Sequence, residues 1–113
     1  MECIFCQIIA GKIAGDIVYQ DEEIVAFRDS QPQSPEHILV IPKSHIPSIA
    51  HLTIEQQGLI GRLVLVAKEI AERVGVSAEG YRLVVNCGAN GGQIVSHLHF
   101  HLLGGRLLSS QLG

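Results

Sequence analysis

The sequence predicts an α+β fold: an antiparallel sheet of about five strands, one long helix and a short N-terminal helix. Three observations lead there. Short apolar runs bounded by turn residues recur along most of the chain. One segment alone, residues 53–74, keeps a helical apolar period over several turns. The remaining order is strand after strand, not strands alternating with helices, which favours antiparallel pairing.

Taken in order, residues 3–10 place Ile4, Ile8 and Ile9 at helical spacing, and Gly11 can end that short helix. Ile17-Val18-Tyr19 and Ile24-Val25-Ala26-Phe27 flank a polar Gln20-Asp21-Glu22-Glu23, the pattern of a hairpin. Residues 29–36 contain Pro32 and Pro35 and cannot be regular. A strand over residues 37–41 follows, ended by Pro42. Thr53 with Gln56 three residues on forms a capping box at the start of the long helix. Leu59, Leu63, Val66, Ile70 and Val74 make its apolar face, and Gly75 stops it. Residues 81–86 read as a strand, 88–92 as a glycine-rich loop, and 95–103 as the last strand, broken by Gly104-Gly105.

A chain of 113 residues fits one domain, residues 1–113, and 47% hydrophobic residues suffice for one core. A net charge of -3 argues against a duplex nucleic-acid partner, so an anionic ligand would have to meet a few local donors. No apolar run reaches the roughly 18 residues a membrane helix needs, and the N-terminus lacks a signal-peptide pattern. Three cysteines without export signals point to a cytoplasmic setting and to metal or reactive thiols.

The chemistry concentrates in His97-Leu98-His99-Phe100-His101-Leu102-Leu103. Alternation along a strand puts His97, His99 and His101 on one face and Leu98, Phe100 and Leu102 on the other. Packing gives no reason for three titratable rings side by side. Two of them could share one metal ion. All three would span about 13 Å, too far for one ion with ligands at about 2.0–2.1 Å. The competing reading is nucleophilic catalysis, in which a neutral imidazole attacks phosphorus while an acceptor holds its other nitrogen protonated. Asn86 at the end of the preceding strand could donate to a phosphate oxygen. The loop 88–93 lets backbone N–H groups approach an anion. Cys3-x-x-Cys6 could be a redox pair, an inert helix face or half a zinc site.

The His-x-His-x-His pattern with apolar residues between resembles the signature of the histidine-triad superfamily. Gly91-Gly92-Gln93 before it and Leu103-Gly104-Gly105-Arg106 after it resemble the Hint branch, the purine nucleoside phosphoramidases. Cys3-Ile4-Phe5-Cys6, Ala26-Phe27-Arg28-Asp29, Pro32-Gln33-Ser34-Pro35-x-His37, Val40-Ile41-Pro42-Lys43 and Tyr81-Arg82-Leu83-Val84-Val85-Asn86 extend the likeness over nearly the whole chain. The resemblance implies hydrolysis of the P–N bond between a purine nucleoside monophosphate (AMP or GMP type) and an amine. His99 would form a nucleotidyl-histidine. His101 and Asn86 would hold phosphate oxygens, His37 would sit near the nucleophile, and Asp29 would accept the ribose hydroxyls. Ile4, Phe5, Ile8, Phe27 and Leu39 would line the purine slot, and Gln93 is placed with the substrate-binding residues. By the same resemblance a structural zinc would sit on Cys3, Cys6, His45 and His97, with no catalytic cofactor. A homodimer would form through the long helix, whose apolar surface, widened by Ile60, Val64 and Leu65, exceeds what one small sheet covers.

One departure stands out. Ile94 occupies the place after Gly-Gly-Gln where many relatives carry a hydroxyl residue, and strand alternation would put Ser96 on the same face as Ile94. Other readings are a nucleotide-binding adaptor with incidental turnover, a dinucleoside polyphosphate hydrolase and a catalytic zinc hydrolase.

Overall fold

The computed structural model describes residues 3–113. A short helix α1 (Ile4–Ile9) leads into strands β1 (Ile17–Gln20), β2 (Ile24–Arg28) and β3 (Glu36–Pro42). After two single-turn 3-10 segments comes the long helix α2 (Gln57–Arg73), then β4 (Tyr81–Val85) and β5 (Phe100–Gly104). The five strands form one sheet in the order β1-β2-β3-β5-β4, and every neighbouring pair is antiparallel. This is the α+β arrangement the sequence predicts.

The central strands are buried on both faces because a helix covers each. Ile24, Ala26, Ile38, Val40, Phe100 and Leu102 point one way and pack with Leu63, Val66, Ala67 and Ile70 of α2. Val25, Phe27, Leu39 and Ile41 point the other way and pack with Phe5 and Ile8 of α1. The period of two in β2 and β3 is hidden in the sequence because both sets are apolar. The Thr53–Gln56 capping box is present in full, and it opens a 3-10 turn that runs directly into α2. Among the described residues no helix is long and apolar enough to cross a membrane.

One boundary differs from the sequence reading. The last strand begins at Phe100, not at residue 95. The register pairs Val40 with Phe100, so the next backbone-bonded pair on that side would be Pro42 with Leu98. In β3 the odd-numbered residues direct their backbone toward β2, as Asp29 N–H to His37 O at 2.9 Å and Lys43 N–H to Glu23 O at 2.7 Å show. Pro42 therefore faces β5, where it has no N–H to offer. The Leu98 N–H instead donates to Ile46 O at 2.7 Å, and His97 N–H turns back to Val95 O at 2.9 Å. The side-chain alternation survives from Leu98 onward, since Leu98, Phe100 and Leu102 all join the α2-facing core. Before His97 it fails: Ile94 lies in irregular chain and Ser96 in a bend, and their relative direction does not follow from strand geometry.

Candidate active site and metal cluster

The α1-facing side of the sheet carries the polar chemistry. Phe5 packs edge-on against Phe27 with ring centroids 5.3 Å apart and against His99 at 5.1 Å. These rings floor a cavity of about 860 Å³. Its apolar wall includes Ile4, Phe5, Ile8, Phe27 and Leu39, all five residues expected for a purine slot. Its polar end holds Asp29, Asn86, His99 and His101.

Hydrogen bonds assign the imidazole protons. His99 Nδ1 lies 2.6 Å from the main-chain carbonyl oxygen of His97. A carbonyl only accepts, so Nδ1 carries the proton and the Nε2 lone pair is left for the cavity. His37 Nδ1 accepts the Gln33 backbone N–H at 3.0 Å. Its proton is therefore on Nε2, which lies 2.9 Å from His101 Nδ1 and donates to it. His101 in turn keeps its own proton on Nε2. The two rings meet because Leu39 is opposite His101 across the β3–β5 ladder, which makes His37 a diagonal neighbour on the same face.

Burial favours the neutral form of His37 and His101. Burial, reinforced by the neighbouring His99 and His37, pushes His101 down from the ordinary 6.5 to about 4, with Asp29 opposing. His37 is also lowered, first by burial, against the opposing pull of Asp29 and with help from His99. Asp29 Oδ2 sits 3.5 Å from His37 Nε2, and its Oδ1 accepts the Gln31 N–H at 2.8 Å. Asp29 thus caps a turn and also presents a carboxylate to the cavity.

The glycine-rich loop 88–93 is held tightly. Asn86 Nδ2 donates to Gly91 O at 2.7 Å, leaving its second amide hydrogen available. Gly91 passes so close to the Cys87 backbone that a Cβ there would collide with the Cys87 carbonyl. Gln93 does not line the cavity. Its amide donates to Pro47 O at 2.7 Å and to Val95 O at 2.9 Å, while its oxygen accepts the Gly88 N–H at 3.0 Å. The structure places Gln93 as the staple between the loop and the chain after His45. Ile94 does line the cavity, with 94% of its surface exposed.

A second cluster lies behind His99. Cys3 at the start of α1, Cys6 within it, His45 after β3 and His97 converge so that one ligand atom from each lies within 4.8 Å of the others. Sulfur-to-Nδ1 distances to the two histidines run from 3.2 to 3.6 Å, and the two Nδ1 atoms are 3.2 Å apart. A tetrahedral ion with ligands at about 2.3 Å (sulfur) and 2.0–2.1 Å (nitrogen) requires edges of about 3.6 Å and about 3.3 Å. The donor set fits such an ion. His97 Nε2 donates to Pro42 O at 2.8 Å, which leaves its Nδ1 lone pair facing the cluster. Signals for much of this were in the sequence. The Gln33 backbone donor and the Pro42 acceptor carried none, because any residue has a backbone.

The comparisons with known proteins agree with this geometry. The family described as "HIT domain" matches residues 10–108. The chain is 49% identical over 111 residues to the purine nucleoside phosphoramidase of Escherichia coli, covering 98% of this chain and 93% of that one. It is 53% identical over 108 residues to an uncharacterised HIT-like protein of Synechococcus elongatus, covering 96% and 94%. A HIT family hydrolase from Legionella pneumophila superposes with a TM-score of 0.96 at 44% identity, covering 99% of this chain and 100% of that one.

Proposed function

The chain belongs to the HIT domain family, and on that premise we propose that it hydrolyses the P–N bond of purine nucleoside 5'-phosphoramidates. The observation that carries the reading is the bond from His99 Nδ1 to the His97 carbonyl, which leaves the opposite nitrogen as a neutral nucleophile at the cavity. His99 Nε2 attacks the α-phosphorus, the P–N bond breaks, and the amine departs with the bonding pair and takes up a proton. Water then attacks the same phosphorus, the P–Nε2 bond breaks, and the nucleoside monophosphate leaves. One proton of that water is released, and His99 recovers its lone pair. His101 Nε2–H and the second Asn86 amide hydrogen donate to the phosphate oxygens as their charge grows. Asp29 accepts the ribose hydroxyls. The purine packs among Ile4, Phe5, Ile8, Phe27 and Leu39. The name of the Escherichia coli relative supports the same substrate class.

A mass spectrum of protein quenched during turnover of an adenosine phosphoramidate tests this. The expected result is a nucleotidyl adduct on His99. Turnover with an adduct elsewhere, or with none under saturating substrate, removes the covalent mechanism.

Cys3, Cys6, His45 and His97 would hold a structural zinc; the four ligands close the coordination sphere and leave no position for a reacting water. Thiolate ligands of this kind suit a reducing cytoplasm. We further propose a homodimer built on the exposed side of α2, where Leu65 and Val64 remain 65% and 41% exposed. Light scattering that returned the 12.2 kDa mass of a single chain at micromolar concentration would remove it.

A further inference from the structure

The Gln33 backbone N–H on His37 Nδ1 sets the tautomer of the His37–His101 pair, with Asp29 Oδ2 3.5 Å from His37 Nε2 favouring the same proton position, and the structure shows what holds Gln33. Gln33 lies in the irregular segment between β2 and β3. That segment has internal ties: Asp29 Oδ1 accepts the Gln31 N–H, and Ser34 Oγ donates to Glu36 O at 2.6 Å. The Gln33 carbonyl is tied from outside. Arg106 Nη2 donates to it at 2.9 Å across 73 residues of sequence.

Arg106 reaches it because the chain after β5 turns tightly against the same segment. Gly105 has φ of +96°, and a Cβ there would stand 2.8 Å from Pro35 Cβ. A side chain at 105 would push the tail off the segment, so glycine sets the approach. The turn carries Arg106 to Gln33 as β5 carries His101 to His37. Both ends of one tail thus meet the two ends of one short path.

We propose that Arg106 is a positioning residue for His101. By holding the Gln33 main chain, it keeps the Gln33 N–H on His37 Nδ1, so that His37 donates from Nε2 to His101 Nδ1 and His101 donates from Nε2 into the cavity. Without the tie, Gln33 keeps only its local bond from Nε2 to Gln31 O at 3.2 Å, and its N–H can turn to solvent. His37 Nδ1 then competes for the ring proton, and His101 loses the partner that selects its tautomer. Arg106 is not among the residues that line the cavity, and for its catalytic consequence the proposal rests on the function assigned above.

The test compares the wild-type chain with Arg106→Met, which keeps the aliphatic stem and removes the donors, and Arg106→Lys, which restores one donor. Nitrogen-15 spectra of the histidine rings read the tautomers directly. In the wild type His37 and His101 should each be protonated at Nε2. In Arg106→Met their signals should move toward tautomer averaging. With an adenosine phosphoramidate, kcat should fall about 3- to 10-fold, the size of one lost hydrogen bond, with KM within about twofold. Arg106→Lys should recover most of both effects. Wild-type ring spectra in Arg106→Met, or a Lys variant no better than Met, would overturn the proposal. Should Arg106→Met fail to fold, Arg106→Gln, too short to reach Gln33 from the same backbone, is read the same way. A wild-type protein that turns over no phosphoramidate would remove the functional reading alone, since the ring spectra still decide the positioning.

Discussion

The Nδ1 of His99 lies 2.6 Å from the carbonyl oxygen of His97, and the Nε2 of His97 lies 2.8 Å from the carbonyl oxygen of Pro42. Two main-chain acceptors therefore set two histidines to opposite tasks. His97 turns Nδ1 to the cysteines, and His99 turns Nε2 to the cavity. His99→Ala removes the nucleophile and the ring that Phe5 packs against, and leaves Asp29 and the aliphatic wall of Ile4, Ile8 and Leu39 in place. Phosphoramidate turnover should fall by at least about 10³-fold. Calorimetry should still find AMP bound within about tenfold of the wild-type affinity. Turnover that survived within tenfold would refute the assignment of His99.

The neutral His37–His101 pair makes stability depend on pH in one direction. An unfolded histidine titrates near 6.5, whereas folded His101 titrates at about 4 and His37 is lowered as well. Between those values the unfolded chain binds protons that the folded chain refuses, so stability is complete above about pH 6.5 and falls as pH drops toward 4. The melting temperature should decline over that window. Replacing both residues by Asn should flatten the decline, and an unchanged slope in the double variant would contradict the effect.

Removal of the metal ligands should separate stability from chemistry. Cys3→Ser breaks the four-ligand set without altering any residue that faces the cavity's polar end. The expected loss is a few kcal/mol, roughly 10 °C or more in melting temperature, with kcat reduced far less at temperatures where the variant is folded. Atomic absorption should give one zinc per wild-type chain and none in the variant. Equal melting temperatures for the two proteins would show that the cluster bears no structural metal.

Ile94 predicts discrimination between leaving amines. Departure of an amine needs a proton, and a general acid supplying it is worth typically 10²–10⁴-fold. Ile94 reaches the cavity but has no proton to give. Aromatic amines, which leave readily, should turn over well, and basic alkyl amines poorly. Ile94→Ser should raise kcat/KM for alkyl amines more than for aromatic ones. An equal change for both would mean that Ile94 only packs against the amine and that water or His101 delivers the proton.

Much of this was determined by local pattern alone. The period of α2, its capping box and the apolar set Leu98, Phe100 and Leu102 can be read from neighbouring residues, because helix and strand periods are local properties of the backbone. The histidine pattern itself marked the chemistry, since no packing requirement places three imidazoles at alternate positions.

Other features depended on where distant segments meet. The start of β5 follows from Pro42, which would stand opposite Leu98 if the β3–β5 register ran on past Val40–Phe100 and has no N–H to offer there. Gln93, expected at the substrate, became a staple because its amide finds Pro47, 46 residues away. Cys3 and His97 lie 94 residues apart in the chain, and their convergence requires α1 to cross the sheet face that carries the triad. The division of labour among the histidines rests on carbonyl and N–H groups of Pro42, His97 and Gln33, and backbone groups are identical in every sequence until the fold points them at a side chain. Residue types determined which chemistry was possible here; tertiary structure decided which nitrogen of each ring performs it.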